Sequence, residues 1–133
     1  MIGPGTGYPD GAVPDEAVLL RRIPPDWVTS DGAGGLRPSS QSFDDDQMSV
    51  YVEDLLGANG HGIPDVLAGH LGFHVVSFSA GFARALGLQV ELDPVAGDPI
   101  GYAHAVVLGR KTRSIGRRLA DESVRRVWLV GNL

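Results

Sequence analysis

Residues 73–92 read FHVVSFSAGFARALGLQVEL, and the fold class turns on this stretch. Phe73–Phe78 is a run of β-branched and aromatic residues, which predicts a strand. Ser79 offers a hydroxyl to cap a short helix over Ala80–Leu86, and Gly87 ends it. Leu88–Leu92 then alternates as a second strand, closed by the Asp93-Pro94 turn. Strand, capped helix and strand in such quick succession predict short elements of both kinds.

The same grain continues outward. Ala17–Ile23 reads as a strand stopped by Pro24-Pro25. Thr29–Gly35 and the polar run from Arg37 to Ser42 read as loop. Met48–Val52 reads either as a strand or as the start of a helix reaching Leu56. Pro64–Ala68 supports one or two helical turns with proline at the start. Tyr102–Leu108 is a strand, Ser114–Ser123 an amphipathic helix with Ile115 and Leu119 on one face, and Val124–Val130 a terminal strand. The sum is a single α+β domain over 17–133, with about five short strands and two or three short helices. Residues 1–16 hold four Gly and three Pro, have no periodic pattern, and read as a flexible arm.

The chain's 133 residues suffice for one small core. Nineteen Gly and nine Pro imply a loop-rich fold. The absence of cysteine excludes a disulfide scaffold, a cysteine zinc site, an iron–sulfur cluster and a thiol nucleophile. No apolar run approaches the roughly 18 residues of a spanning helix, and no basic, apolar leader opens the chain. The expectation is a cytoplasmic protein with no membrane contact. The net charge of −5 argues against a general nucleic-acid binder. The charge is uneven, however. Residues 1–100 carry four arginines against fourteen acids, whereas 101–133 carry seven bases against Asp121 and Glu122. This basic C-terminal region either steers an anion or packs against the acidic half.

Four histidines are the side chains that titrate near neutrality. His70 and His74 have the spacing of two ligands on one helix face, and His61 makes a third donor. Gly69 and Gly72 interrupt such a helix, and Leu71 stands where a metalloprotease helix has its glutamate. No metal site is therefore expected. His104 lies between Ala103 and Ala105 in an apolar strand, where burial can tune it. With His70 it makes an acid and a base, while Arg22 or Arg37 stabilises a phosphate and Ser39 or Ser40 orients it. That set describes cofactor-free, metal-independent chemistry on a phosphate-containing substrate, RNA or a nucleotide.

Three further patterns overlap it. Gly109–Ser114 passes from strand to helix with Lys111, Thr112 and Arg113 at the turn, which suits an anion. It lacks the glycines of a nucleotide-hydrolysing loop, and a capped turn explains it equally well. Ser77–Gly81 has the shape of a nucleophile elbow, with Asp93 or Asp98 and His104 following in triad order; Ser79 as a helix cap accounts for the same residues. Arg22, Ser39-Ser40 and Glu91 follow the Arg–Ser–Glu order that ADP-ribosyltransferases use with NAD. Gln89 and Glu91 read equally as the wet face of an alternating strand.

The segments Arg21-Arg22-Ile23-Pro24-Pro25, Arg37-Pro38-Ser39-Ser40, Met48-Ser49-Val50, Asp65-Val66-Leu67-Ala68-Gly69-His70 and Ala103-His104-Ala105-Val106-Val107 resemble a poorly characterised family of small bacterial proteins. The resemblance spans about residues 17–129 and implies no activity. It groups the Arg, Ser and His positions into one recurring pattern. The reading from another class is a non-catalytic protein-binding module, with Asp44–Asp46, Trp27, Phe43 and Trp128 as contacts.

Overall fold

The computed structural model describes residue 8 and residues 12–129. β1 (Val18–Ile23) runs through the middle of the molecule until Pro24 and Pro25 remove the donors that would extend it. β2 (Val28–Ser30) and β3 (Leu36–Pro38) form a separate two-stranded ribbon. A 3-10 turn, Ser40–Phe43, leads to β4 (Gln47–Val52), and α1 (Glu53–Ala58) follows β4 directly. Glu53 and Asp54 sit in the first turn of α1, where their charge complements the free N–H groups. α2 (Ile63–Leu67) is a single short helix in which Asp65 Oδ2 accepts from the Gly62 N–H at 2.9 Å.

β5 (His74–Ser79) passes into α3 (Ala80–Ala85) through Ser79, whose hydroxyl accepts from the Phe82 N–H at 3.0 Å. β6 (Gln89–Leu92) and β7 (His104–Leu108) are joined by a loop ending in a 3-10 turn, Gly101–Ala103. α4 (Arg113–Glu122) is capped by Thr112, and β8 (Val124–Val127) ends the described fold. The domain is α+β as expected, but with more strands: eight among the described residues, six of them in one sheet. The expected loops at Thr29 and Arg37 are the ribbon strands. Val13 is buried and Asp15 pairs with Arg84, so the packed domain begins upstream of residue 17. Residues 1–7 and 9–11 of the expected arm lie outside the described residues.

The sheet order is β6-β7-β4-β1-β5-β8, and every pairing is antiparallel. Leu19, Val50, Val52, Val76, Phe78 and Val107 share one face and are buried. Phe43 meets Phe78 edge to face on that side, with ring centroids 6.3 Å apart. α4 packs on the 3-10 turn that carries Phe43. No described helix is long and apolar enough to cross a membrane.

Candidate functional site

Neighbouring strands in this sheet normally share long registers. β1 pairs with β5 from Val18↔Ser79 through Ile23↔His74. With β4 its register holds only at Leu19↔Val52 and Leu20↔Tyr51. Beyond Leu20 the strands part, and Arg21 bridges them. Its Nε donates to the Ser42 carbonyl at 3.1 Å and its Nη1 to the Ser49 carbonyl at 3.0 Å. Burial pushes the Arg21 guanidinium below its ordinary pKa, and Asp45 and Asp44 oppose that.

Strand alternation sends Arg22 to the other face, where it lies beside Tyr51 with its guanidinium 5.7 Å from the ring centroid. Arg22 Nη1 donates to the Val66 carbonyl of α2 at 2.7 Å. A guanidinium has five N–H donors, so this bond leaves others for a ligand. Arg22, Tyr51, His61, Asp65, His70 and Asp98 line one cavity of about 320 Å³. Tyr51 donates its hydroxyl to Asp98 Oδ2 at 2.8 Å, and Asp98 Oδ1 accepts from the Ile100 N–H at 3.0 Å. Burial and the Asp98 carboxylate both push the Tyr51 pKa up, which keeps the phenol protonated. His61 Nδ1 is bonded to the Tyr102 hydroxyl. His70 stands edge-on to Phe73, centroids 5.1 Å apart. Burial, then the Arg22 charge, lowers its pKa from the ordinary 6.5, so its neutral ring prevails at pH 7. A second cavity of about 240 Å³ shares Arg22, Tyr51 and His70 and adds Trp27, Ser49 and Phe73.

The structure therefore brings Arg22 and His70 together. His104 is on the same sheet face, opposite Tyr51 in register, but it packs edge-on against the Tyr51 ring at 5.6 Å and does not line either of these cavities. Its Nδ1 donates to the Asp93 carbonyl at 2.8 Å, with the Asp93 carboxylate 3.3 Å away. The expected His70–His104 pair is replaced at the cavity by His70 and His61.

Other expected site residues are used elsewhere. Arg37 is paired with Asp121 of α4. The Ser39 hydroxyl donates to the Trp27 carbonyl at 3.3 Å. Ser40, Lys111, Thr112 and Arg113 gather in a separate hollow at the start of α4. There the Lys111 ammonium is buried and donates to the Val107 and Gly109 carbonyls at 2.7 and 2.9 Å, while Thr112 accepts from the Ile115 N–H at 3.2 Å. Burial lowers the Lys111 pKa, against Asp46 and Asp45. The pair bonds made by Lys111 and Thr112 hold the turn together rather than reach outward.

His74 is buried on β5, and its Nδ1 accepts from the Leu129 N–H at 3.1 Å. Among the described residues no three His, Asp or Glu side chains are grouped as a metal-binding set, so His61, His70 and His74 do not form one. Ser79 caps α3, and β5 is separated from β7 by two strands, roughly 14 Å at the usual strand spacing. The triad of Ser79 with His104 is not assembled. Glu91 lies on β6, two strands from Ser49, and Ser49 rather than Ser39 or Ser40 shares a cavity with Arg22. Phe43 is fully buried, which removes it from any contact surface. Sequence reasoning missed Tyr51, Asp98 in its present role, Ser49 and Phe73. The signal for Tyr51 and Ser49 is the alternation of Met48–Val52, which puts both on one face once the segment is a strand and not the start of a helix.

No protein-family model, curated protein or solved structure matches this chain.

Proposed function

We propose that this protein binds a phosphate-bearing small ligand at Arg22 and carries out acid–base chemistry on it, with His70 as the base and His61 as its partner. The observation that carries this reading is the convergence of one arginine and two imidazoles on a single cavity. Arg22 supplies charge-assisted N–H donors for a phosphate oxygen. His70 is neutral at pH 7 and able to accept a proton. His61 keeps its Nε2 for the cavity because Nδ1 is bonded to Tyr102. The reading calls on no cofactor.

Titration of the protein with inorganic phosphate, followed by calorimetry, tests it. Binding is expected, and Arg22→Gln should weaken it by about tenfold or more. Arg113→Gln, in the hollow at the start of α4, should leave it unchanged. Binding that survives Arg22→Gln and is lost in Arg113→Gln would move the anion site to α4.

His70 gives an independent handle. A bound anion offsets the Arg22 charge that helps to hold its pKa down. Proton NMR of its imidazole should show the pKa rising when phosphate is added, with uptake of a proton. A pKa that stays fixed in saturating phosphate contradicts the placement of the anion beside it.

The same shift has a sign for stability. His70 and His74 both have folded pKa values lowered from 6.5. Their contribution is fully present above about 6.5 and is lost as the pH falls from there toward the folded values, because the unfolded chain takes up protons first. Unfolding midpoints in urea should therefore fall between pH 7 and pH 5, and His74→Phe should flatten that slope.

A further inference from the structure

The cavity lined by His61, Asp65 and Asp98 and the one lined by Trp27 and Phe73 have Arg22, Tyr51 and His70 in common. They are two lobes of one cleft, with Arg22 at the join. One lobe carries two carboxylates, Asp65 and Asp98. The other has three aromatic side chains, Trp27, Tyr51 and Phe73, with Pro24 and with Arg21, whose guanidinium is already held by the Ser42 and Ser49 carbonyls. A flat ring suits the second lobe, because aromatic walls bury its faces without demanding a particular hydrogen-bond pattern. Two carboxylates repel a phosphate from the depth of the first lobe, which leaves Arg22 at the join as its place.

We infer that the ligand of this cleft is a mononucleotide, with its base in the Trp27–Phe73 lobe and its phosphate at Arg22. This rests on the phosphate reading above and narrows it. A polynucleotide needs a row of free cations along its backbone. Here, among the described residues, the only cations lining the cleft are Arg21 and Arg22; Arg37, Arg84 and Arg126 are paired with acids, and the exposed Arg110, Arg113 and Arg117 of the basic end line neither lobe. The net charge of −5 opposes a long polyanion as well. RNA is thus the weaker of the two nucleotide substrates expected from sequence.

The test compares inorganic phosphate, ribose 5-phosphate, AMP and a short single-stranded oligoribonucleotide by calorimetry on the full chain. AMP should bind about tenfold tighter than ribose 5-phosphate, the increment belonging to the stacked base. In a Trp128→Phe background, AMP and not ribose 5-phosphate should quench the Trp27 fluorescence. Trp27→Ala should bring AMP down to the level of ribose 5-phosphate and leave ribose 5-phosphate where it was. Should Trp27→Ala fail to fold, Phe73→Ala and the quenching decide the matter. Equal binding of AMP and ribose 5-phosphate, without quenching, overturns the base site and leaves the phosphate site standing. Failure of every phosphate compound to bind overturns both. Tighter binding of the oligoribonucleotide than of AMP overturns the mononucleotide in favour of a polymer.

Discussion

Replacing Gly101 with alanine is expected to cost the fold about 3 kcal/mol or more, the largest effect of any single added methyl group here. A Cβ at residue 101 falls 2.0 Å from the Val95 carbonyl oxygen and 2.9 Å from its carbon. Both atoms are backbone, and the segment cannot swing away cheaply. The Val95 N–H is bonded to the Gly101 carbonyl at 3.0 Å, and the Gly101 N–H to the Asp98 carbonyl at 2.9 Å. The damage reaches the cleft, because this loop presents the Asp98 carboxylate to Tyr51. Phosphate binding should therefore weaken in whatever fraction still folds. Gly57→Ala is the matched control. It lies in α1 with nothing within 4 Å of the added carbon, and should stabilise by about 0.5–1 kcal/mol. Urea midpoints of the two variants should move in opposite directions. A Gly101→Ala midpoint close to that of the parent would falsify the Val95–Gly101 contact.

Arg21→Met is expected to cost about 2–3 kcal/mol, whereas Arg22→Met costs under about 1 kcal/mol yet removes phosphate binding. The residues are adjacent and chemically identical, so the contrast isolates their placement. Arg21 carries a charge-assisted bond to each of two carbonyls, one on β4 and one on the 3-10 turn before it. Methionine fills similar space but leaves both acceptors without that donor. Arg22 makes one bond to the Val66 carbonyl, at the rim of an open cleft where water can take over. Denaturation of both variants, alongside phosphate titration of each, reads the two effects separately. The opposite assignment, an unstable Arg22→Met and a stable Arg21→Met, would reverse the roles given to the two strand faces.

Some of this was legible in the residues and some was not. The passage from β5 to α3 was, because Ser79 announces the cap and Val75-Val76 the strand. The β4–α1 boundary was not, because Val52 offers no capping side chain and both continuations fit Met48–Leu56. The β2–β3 ribbon was hidden by the Gly-rich turn between its strands, which outweighs three-residue runs. At the site, Arg22 and His70 stood out as an arginine in an apolar strand and a histidine between glycines. His104 stood out for the same reason and yet is masked by Tyr51. Alternation tells which face a side chain takes, not which ring on the next strand lies in front of it. Lys111, Thr112 and Arg113 form a cationic motif on paper, but Lys111 and Thr112 are turned to neighbouring backbone. Where a ligand lobe forms depends on β1 and β4 parting after Leu20, and no local pattern encodes that departure.

The inward turn of Lys111 reaches beyond anion binding. It is the only lysine in the chain, and its amine is packed away against two carbonyls. The folded domain thus displays no side-chain amine for acyl transfer, Schiff-base formation or isopeptide tagging. Reaction at Lys111 has to wait until the segment between β7 and α4 opens. Its acylation rate in the intact protein is in effect a clock for that opening.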